Sequence, residues 1–344
     1  MQQKRLDLLA LMPCPLKVAL EKEISIVIKE INSDYKTSLT CRIVSNAVAQ
    51  EEIFNEIALC KSLEDLPNLM IAPGFSRFFY HDFTKNFRRA GCFESIAGPA
   101  PAKVFRELKI MDPEGYYDIL AFNPLVFLVD KTKDRELATP LRWSDLTRSE
   151  YRRKVAYRGH NDREFCEGIL LNVYKEMGIE GIRKLGESVK CRLHPAQMAK
   201  YAGSKSEAAP SVSVIPYSFA CMARPNKHVE IVWPEDGAIV NPLVMLVKKD
   251  CTPAVKKLAM ELSATKIGSI FSKGGFYPLC PGDMENLESR SFKWLGWEFI
   301  TNNNLHSLLK DLNQTMLEIV HNSEGSKAND KFTGSRKEGG GSCS

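Results

Sequence analysis

Two long apolar runs, each interrupted by Asn-Pro, constrain this chain more than any other feature. Residues 117–129 read YDILAFNPLVFLV, with Asn123-Pro124 at the centre. The run exceeds an ordinary strand in length. Proline brings no N–H to a ladder, so one unbroken central strand is disfavoured. Two strands in different sheets, meeting at Asn123-Pro124, accommodate both facts. The form recurs downstream as 229–233 (VEIVW), then Pro234-Glu-Asp-Gly-Ala238, then 239–248 with Asn241-Pro242 inside. Such a chain crosses twice between two bodies. The expectation is a discontinuous first lobe, 1–123 plus 238–321, with a second lobe inserted at 124–237.

The 344 residues, 44% of them hydrophobic, suffice for two bodies of this kind. That apolar content offsets the ordering entropy that keeps polar chains disordered. No run approaches the ~18 uninterrupted apolar residues of a membrane span. Lys+Arg 47 against Asp+Glu 42, a net charge of +5, gives no concentrated basic face, so nucleic acid is not an expected partner.

Strands and amphipathic helices alternate through the first third. A strand at 8–12 leads into a helix at 15–31, whose Leu16, Ala19, Leu20, Ile24, Val27, Ile28 and Ile31 keep i, i+3, i+4 spacing. A strand at 38–44, a helix at 48–59, a strand at 69–72 and a helical stretch at 83–90 follow. This β-α-β-α-β-α order predicts a parallel sheet with helices on both faces. Between the crossings the pattern gives a strand at 154–157 and a helix at 163–177 stopped by Gly178. Beyond them come helices at 253–263 and 267–273, then a final helix at 304–320 expected to pack on the first lobe. Residues 322–344 read as a flexible tail.

Ten cysteines stand at 14, 41, 60, 92, 166, 191, 221, 251, 280 and 343. No C-x-x-C spacing points to zinc or to a small disulfide framework. Cys41, Cys60, Cys166 and Cys221 lie in apolar runs and read as small buried hydrophobes. So many free thiols favour a reducing, cytoplasmic compartment. Met1 to Cys14 has the outline of a secretion signal, but Asp7 interrupts it, its apolar run is short, and Pro13 stands where a small residue is needed. A buried strand feeding a helix is the better reading.

Five segments, taken in order, carry a resemblance: 117–129 followed by Lys131; Pro140-Leu-Arg-Trp143-Ser-Asp-Leu146; His194-Pro-Ala-Gln-Met198 through Tyr217; Trp233-Pro-Glu-Asp-Gly-Ala238; and Gly274-Gly275-Phe276-Tyr277-Pro278. Together, over about residues 8–300, the chain resembles the type 2 periplasmic binding proteins, the solute receptors of ABC importers, most closely their iron(III)- and polyamine-type branch. The resemblance implies a two-lobed α/β fold, each lobe a mainly parallel sheet flanked by helices, closing by hinge motion on a small ligand. It also implies an ABC permease as partner, a monomer, and a periplasmic or cell-surface site. Iron-binding members use a Tyr-Tyr pair late in the second lobe; here Tyr217 is followed by Ser218.

Ligands of such folds bind at the carboxyl ends of the parallel strands. The first such loop holds Cys14 and Lys17 at a helix start suited to an anion or carboxylate, with Cys14 either a thiolate ligand or a small packed residue. Ser45 and Asn46 end the second strand, where capping is the simpler role. Gly74, Phe75 and Ser76 end the third, where Gly74 allows close backbone approach and Phe75 forms either an aromatic wall of the cleft or the core residue of a plain turn. In the second lobe, His160, Asn161 and Asp162 follow a strand, with Asp162 also suited to cap the next helix. Tyr217 and Ser218 complete the set. Cys14, His160 and Tyr217 are the candidate metal ligands, and no resident cofactor is expected. The leading expectation is a solute-binding protein taking an anion or metal complex. The alternative is a cytoplasmic enzyme or ligand sensor on the same scaffold using Cys14 and His160, although no nucleophile elbow, P-loop or dinucleotide fingerprint supports it.

Overall fold

The tetrapeptide Leu8–Leu11 (β1) is buried and pairs in parallel with Cys41–Val44 (β2) on one edge and Leu69–Pro73 (β3) on the other. A parallel strand covered on both faces needs an unbroken apolar sequence, and LLAL supplies it. The structure is a computed structural model that describes residues 6–45, 47–96, 98, 100–160, 164–280 and 290–333. Asn46, Asn161 and Asp162 lie outside the described residues, and only the backbone of His160 is described.

Helices make the connections. Cys14–Leu16 form a 3₁₀ turn with Pro15 in its first positions, where no N–H is required. Then α1 (Lys17–Asp34) buries Leu20, Ile24, Val27 and Ile31 along one face, and α2 (Ala47–Leu59) leads back to β3. The helical stretch expected at 83–90 is a single turn, α3 (His81–Phe83), followed by a π-turn over Thr84–Arg88. Phe93–Glu94 (β4) and α4 (Lys103–Glu107) precede the first crossing.

That crossing departs from expectation. Asp118–Asp130 (β5) is one strand of 13 residues, buried throughout, rather than two strands in separate sheets. What changes is its partners. One edge is held by Ala238–Lys248 (β12) from Asp118 to Leu125, then by Val229–Val232 (β11) from Phe127 to Asp130. The other edge is held by Tyr277–Pro278 (β13) at Ala121 and Phe122, then by Val212–Pro216 (β10) from Leu125 to Val129. Asn123-Pro124 falls in the gap between β13 and β10. The proline is tolerated because that edge of the ladder is already interrupted there.

The sheet is therefore continuous, in the order β2-β1-β3-β12-β5-β10-β6-β9, with β6 at Val155–Tyr157 and β9 at Val189–Arg192. β2, β1 and β3 are parallel to one another, as are β10, β6 and β9. β12 runs antiparallel to β3, β5 runs antiparallel to β10, and the two crossing strands run antiparallel to each other, so the two groups point in opposite directions along the sheet. The result is two parallel α/β units joined by two shared strands. Trp143 anchors the inserted segment to the start of the second crossing, its indole Nε1 donating to the Gly237 carbonyl at 2.9 Å.

A two-residue hairpin, Gly159–His160 (β7) with Glu164–Phe165 (β8), leads to α5 (Glu167–Ser188). Gly178 breaks that helix as expected, at φ +61°, but a second helical segment resumes at once. The remaining helices are α6 (Pro195–Tyr201), α7 (Tyr217–Ala220), α8 (Pro253–Leu262), α9 (Thr265–Lys273), α10 (Trp297–Asn302) and α11 (Leu305–Thr333); Phe292–Lys293 (β14) precedes α10. The last helix packs mainly along α5 of the inserted segment, not on the first unit alone. A Cβ on Gly186 would lie 3.0 Å from Ile319, and Asn313 accepts from the Phe165 N–H at 2.8 Å. Its apolar stripe was legible, but an apolar stripe does not name its partner. Its start reaches the first unit, where His306 stacks on Tyr80 at 4.6 Å. The α11 backbone stays helical past Asn322, where the tail was expected to begin.

The nine described cysteines are free thiols. Cys166 is buried and Cys41 and Cys60 are partly so, burial pushing the Cys41 thiol up to about 11. Cys221, expected in the interior, is exposed because it ends the short helix α7.

Candidate functional site

The loops that leave β1, β2, β3, β6, β9 and β10 open on one cleft of about 650 Å³ between the two units. Met12, Pro13, Cys14, Ser45, Gln50 and Pro73 line it from the first unit. Arg158, His194, Pro195, Pro216 and Phe219 face them from the second, and Asn123, Asn241 and Pro242 lie at the crossing strands. The convergence follows from topology: within each unit the parallel strands deliver their carboxyl-end loops to one end, and because the two units run in opposite directions along the crossing strands, those ends face each other.

Hydrogen bonds fix the first-unit wall. The Cys14 thiol donates to the Ser45 carbonyl at 2.8 Å. The Gln50 amide donates to the carbonyls of Met12 at 3.3 Å and Val44 at 3.4 Å, joining the ends of β1 and β2. Gly74 turns the chain out of β3 at φ +74°, a conformation costly for any residue with a Cβ. Its N–H donates to the Pro242 carbonyl at 2.8 Å, and the Asn241 Oδ1 lies 3.4 Å from where a Gly74 Cβ would be.

On the second-unit wall, His194 caps α6. Its Nδ1 accepts from the Ala196 N–H at 3.2 Å, which leaves the proton of the neutral ring on Nε2. The ring meets Phe219 edge-on at 5.8 Å. Arg158 is partly buried and has no carboxylate partner among the described residues. The described lining contains no Asp or Glu. Among the described residues the cleft thus offers one arginine, one histidine, three amides, a serine and a thiol against largely apolar walls.

The expected site residues distribute unevenly. Cys14 and Ser45 line the cleft, and Gly74 shapes its floor. Lys17 points to solvent toward Glu21, 3.9 Å away. Phe75 is fully buried and stacks on Trp294 at 5.9 Å, making it a core residue and not a cleft wall. Ser76 is buried at the start of the turn Arg77–Phe79, and its Oγ has no hydrogen-bond partner. Ser218 is buried and bound to Asn123, whose Nδ2 donates to its Oγ at 2.7 Å. Tyr217 packs away from the lining against Trp233 at 5.5 Å, so it does not share the cleft with Cys14. Among the described residues no group of three or more His, Cys, Asp and Glu side chains is arranged to hold a metal.

Gln50, Asn123, Arg158, His194, Phe219 and Asn241 line the cleft without having been singled out as site residues. For two of them the signal was present. The Asn-Pro pairs marked the crossings, and crossing strands necessarily floor an interlobe cleft.

Comparison with known proteins places this geometry. The periplasmic binding protein P5PA superposes with a TM-score of 0.63 at 13% identity, covering 91% of this chain and 100% of that one. An iron- and citrate-bound protein from Trichodesmium (IdiA, FutA) gives 0.58 at 14% identity, with 92% and 99% covered. The apo ferric ion-binding protein A of Pasteurella haemolytica gives 0.58 at 15%, with 94% and 98% covered. No curated protein sequence matches the chain significantly. The fold is thus that of two-lobed periplasmic binding proteins. A family model for bacterial extracellular solute-binding proteins matches residues 64–303. With loops from both units meeting over two shared strands, and with that match across most of its length, the chain belongs to the bacterial extracellular solute-binding protein family.

Proposed function

We propose that this solute-binding protein closes its cleft on a small anion or an anionic metal complex and delivers it to an ABC-type permease. The observation that carries the reading is Arg158, a cation facing the cleft with no carboxylate in the described lining to neutralise it. An anionic ligand supplies the missing partner, and such charge-assisted bonds are the strong ones. A polyamine would need acidic lining residues instead. Cys14, Ser45 and Gly74 contribute from the first lobe and Asn241 from the floor, and His160, Asn161 and Asp162, which follow Arg158 closely in sequence, are proposed as further ligands. The hinge lies at Asn123-Pro124 and at 233–238, so the lobes are 1–123 plus 238–321 and 124–237. The proposed site of action is the periplasmic or extracellular side of a membrane, in keeping with its family, and the proposed working form is a monomer. The reading as a cytoplasmic enzyme using Cys14 and His160 is not favoured by the family match.

A thermal-shift screen over small carboxylates, phosphate, phosphonates and ferric chelates tests the proposal. At least one anion is expected to raise the melting temperature of the intact chain, by RT ln(1 + [L]/Kd) in stability. Arg158→Gln is expected to abolish that rise while leaving the ligand-free melting temperature within a degree or two. No stabilisation by any anion, or stabilisation that survives Arg158→Gln, would overturn it.

A further inference from the structure

Away from the cleft, one aromatic cluster joins rings of both units and seats a cation from one unit on two rings of the other. Tyr217 begins α7 directly after Pro216, and its ring meets Trp233 edge-on. Trp233 follows β11 and contacts Phe292 at 5.4 Å and Tyr277 at 6.3 Å. Over these rings lies the Arg290 guanidinium, its carbon 4.4 Å from the Trp233 centroid and 5.2 Å from that of Tyr217. At such distances a cation is attracted by the ring quadrupole.

The cluster straddles the seam between units. Tyr277 sits in β13 and Tyr217 at the end of β10, the two strands flanking the Asn123-Pro124 gap on one edge of β5. The seam is closely fitted: a Cβ on Gly275 would lie 3.1 Å from Ser218 Cα. Arg290 is carried by backbone fastened to the second crossing. Trp233 Nε1 donates to the Ser291 carbonyl at 2.7 Å, and Lys293 pairs with Asp236 at 2.9 Å. The arginine therefore reaches from the second crossing to the first ring of the inserted lobe's helix α7. Rotation of the lobes about the crossing strands must shear this seam and separate Tyr217 from the rings opposite. The Tyr277 hydroxyl, buried without a hydrogen-bond partner, lies within the field of the same cation.

We propose that Arg290 is a positioning residue for solute binding: carried by the 238–321 segment and seated on the rings of Trp233 and Tyr217 from the inserted segment, it holds the lobes at the separation that forms the cleft. Its consequence for affinity rests on the solute-binding reading; its effect on lobe geometry does not. Removing the cation frees the lobes to separate, and a small planar cation refills its place on the rings.

The test is single-molecule energy transfer on the full chain without ligand, with dyes on non-natural residues at Glu64 and Lys184, one in each lobe. Arg290→Ala is expected to shift the ratio of separated to closed lobes by about two- to thirty-fold, the range cation–π contacts span from exposed to desolvated sites. Millimolar ethylguanidinium is expected to reverse the shift, and Arg290→Lys to fall between. A lowered melting temperature with an unchanged distance distribution would make Arg290 a packing residue and overturn the proposal, as would a shift that ethylguanidinium leaves untouched. Should Arg290→Ala fail to fold, Trp233→Phe is read the same way, with a smaller shift expected and no shift counting against. If the lobes shift but no anion binds, the anion reading fails and the latch stands. If anions bind equally to wild type and Arg290→Ala while the distances stay fixed, the latch fails and the anion reading stands.

Discussion

The two crossing strands lie side by side with Asn123 of β5 directly opposite Asn241 of β12, and one dipeptide serves two purposes. Each Asn-Pro sits where the outer edge of its strand lacks a ladder partner. On β5 the gap lies between β13 and β10; on β12 it lies between β14, which ends opposite Ile239, and β3, which begins opposite Leu243. What fills each gap differs. Ser218 fills the first, and the buried Asn123 amide bonds to its hydroxyl. Gly74 meets the second, offering Pro242 an N–H but bringing no side chain, so the Asn241 amide stays open to the cleft. A serine in one gap makes a structural seam, and a glycine in the other leaves the floor of the cleft open.

Breaking the seam is expected to cost most. Asn123→Ala removes the partner of the buried Ser218 hydroxyl, and a buried polar group left unsatisfied costs about 1–3 kcal/mol. Urea unfolding should show a lower midpoint with an unchanged m-value; a midpoint equal to wild type would mean the seam carries no net stability. Gly74→Ala comes next. It forces a Cβ into φ +74°, where a non-glycine residue pays roughly 1–2 kcal/mol, and places that carbon 3.4 Å from Asn241 Oδ1. The expected signature is double: reduced stability, and a smaller thermal shift from whichever anion the screen identifies. Loss of stability with the ligand shift intact would detach Gly74 from the floor. Asn241→Ala inverts the pattern, with stability within ~0.5 kcal/mol of wild type and ligand stabilisation reduced. If it destabilised the chain as much as Asn123→Ala, the contrast between the two asparagines would collapse.

How much of this was legible follows from the same residues. The alternation of apolar strands with amphipathic helices exposed β1 to β3 and their helices, because burial on both faces demands runs such as LLAL. The Asn-Pro interruptions located both crossings, yet the local proline rule split β5 into two strands. That rule knows only that a donor is missing; whether a ladder partner stands opposite is a tertiary fact. Cys14 and Ser45 were found because loops after parallel strands reach the cleft by topology alone. Phe75 stayed undecided between cleft wall and core because a residue beside a glycine turn can face either side, and here its ring went to Trp294. Arg158 stood at the head of a recognised polar loop but was passed over for His160. What distinguishes it is a charge that faces the cleft without a carboxylate partner among the described residues, which a sequence does not display.

The smallest effect concerns the far end of β5. Asp118 opens that strand opposite Met245 and is buried. Burial raises its carboxyl above the ordinary carboxylate range, opposed in part by hydrogen bonds from the Ser95 hydroxyl at 2.5 Å and the Ile96 N–H at 2.9 Å. The folded state then holds the proton more tightly than the unfolded chain does. Its contribution is therefore fully present below the unfolded carboxylate value of roughly 3.9 and is lost as pH rises through the raised folded value. Asp118→Asn carries no proton to lose and still offers an acceptor to Ile96 and a donor to Ser95. Urea midpoints measured in steps upward from pH 4 should fall less with pH in Asp118→Asn than in wild type. Parallel slopes in the two proteins would show that the carboxyl titrates alike folded and unfolded. In that case the Ser95 and Ile96 bonds, and not burial, would set its charge, and the first crossing would carry an ionised group at its entrance.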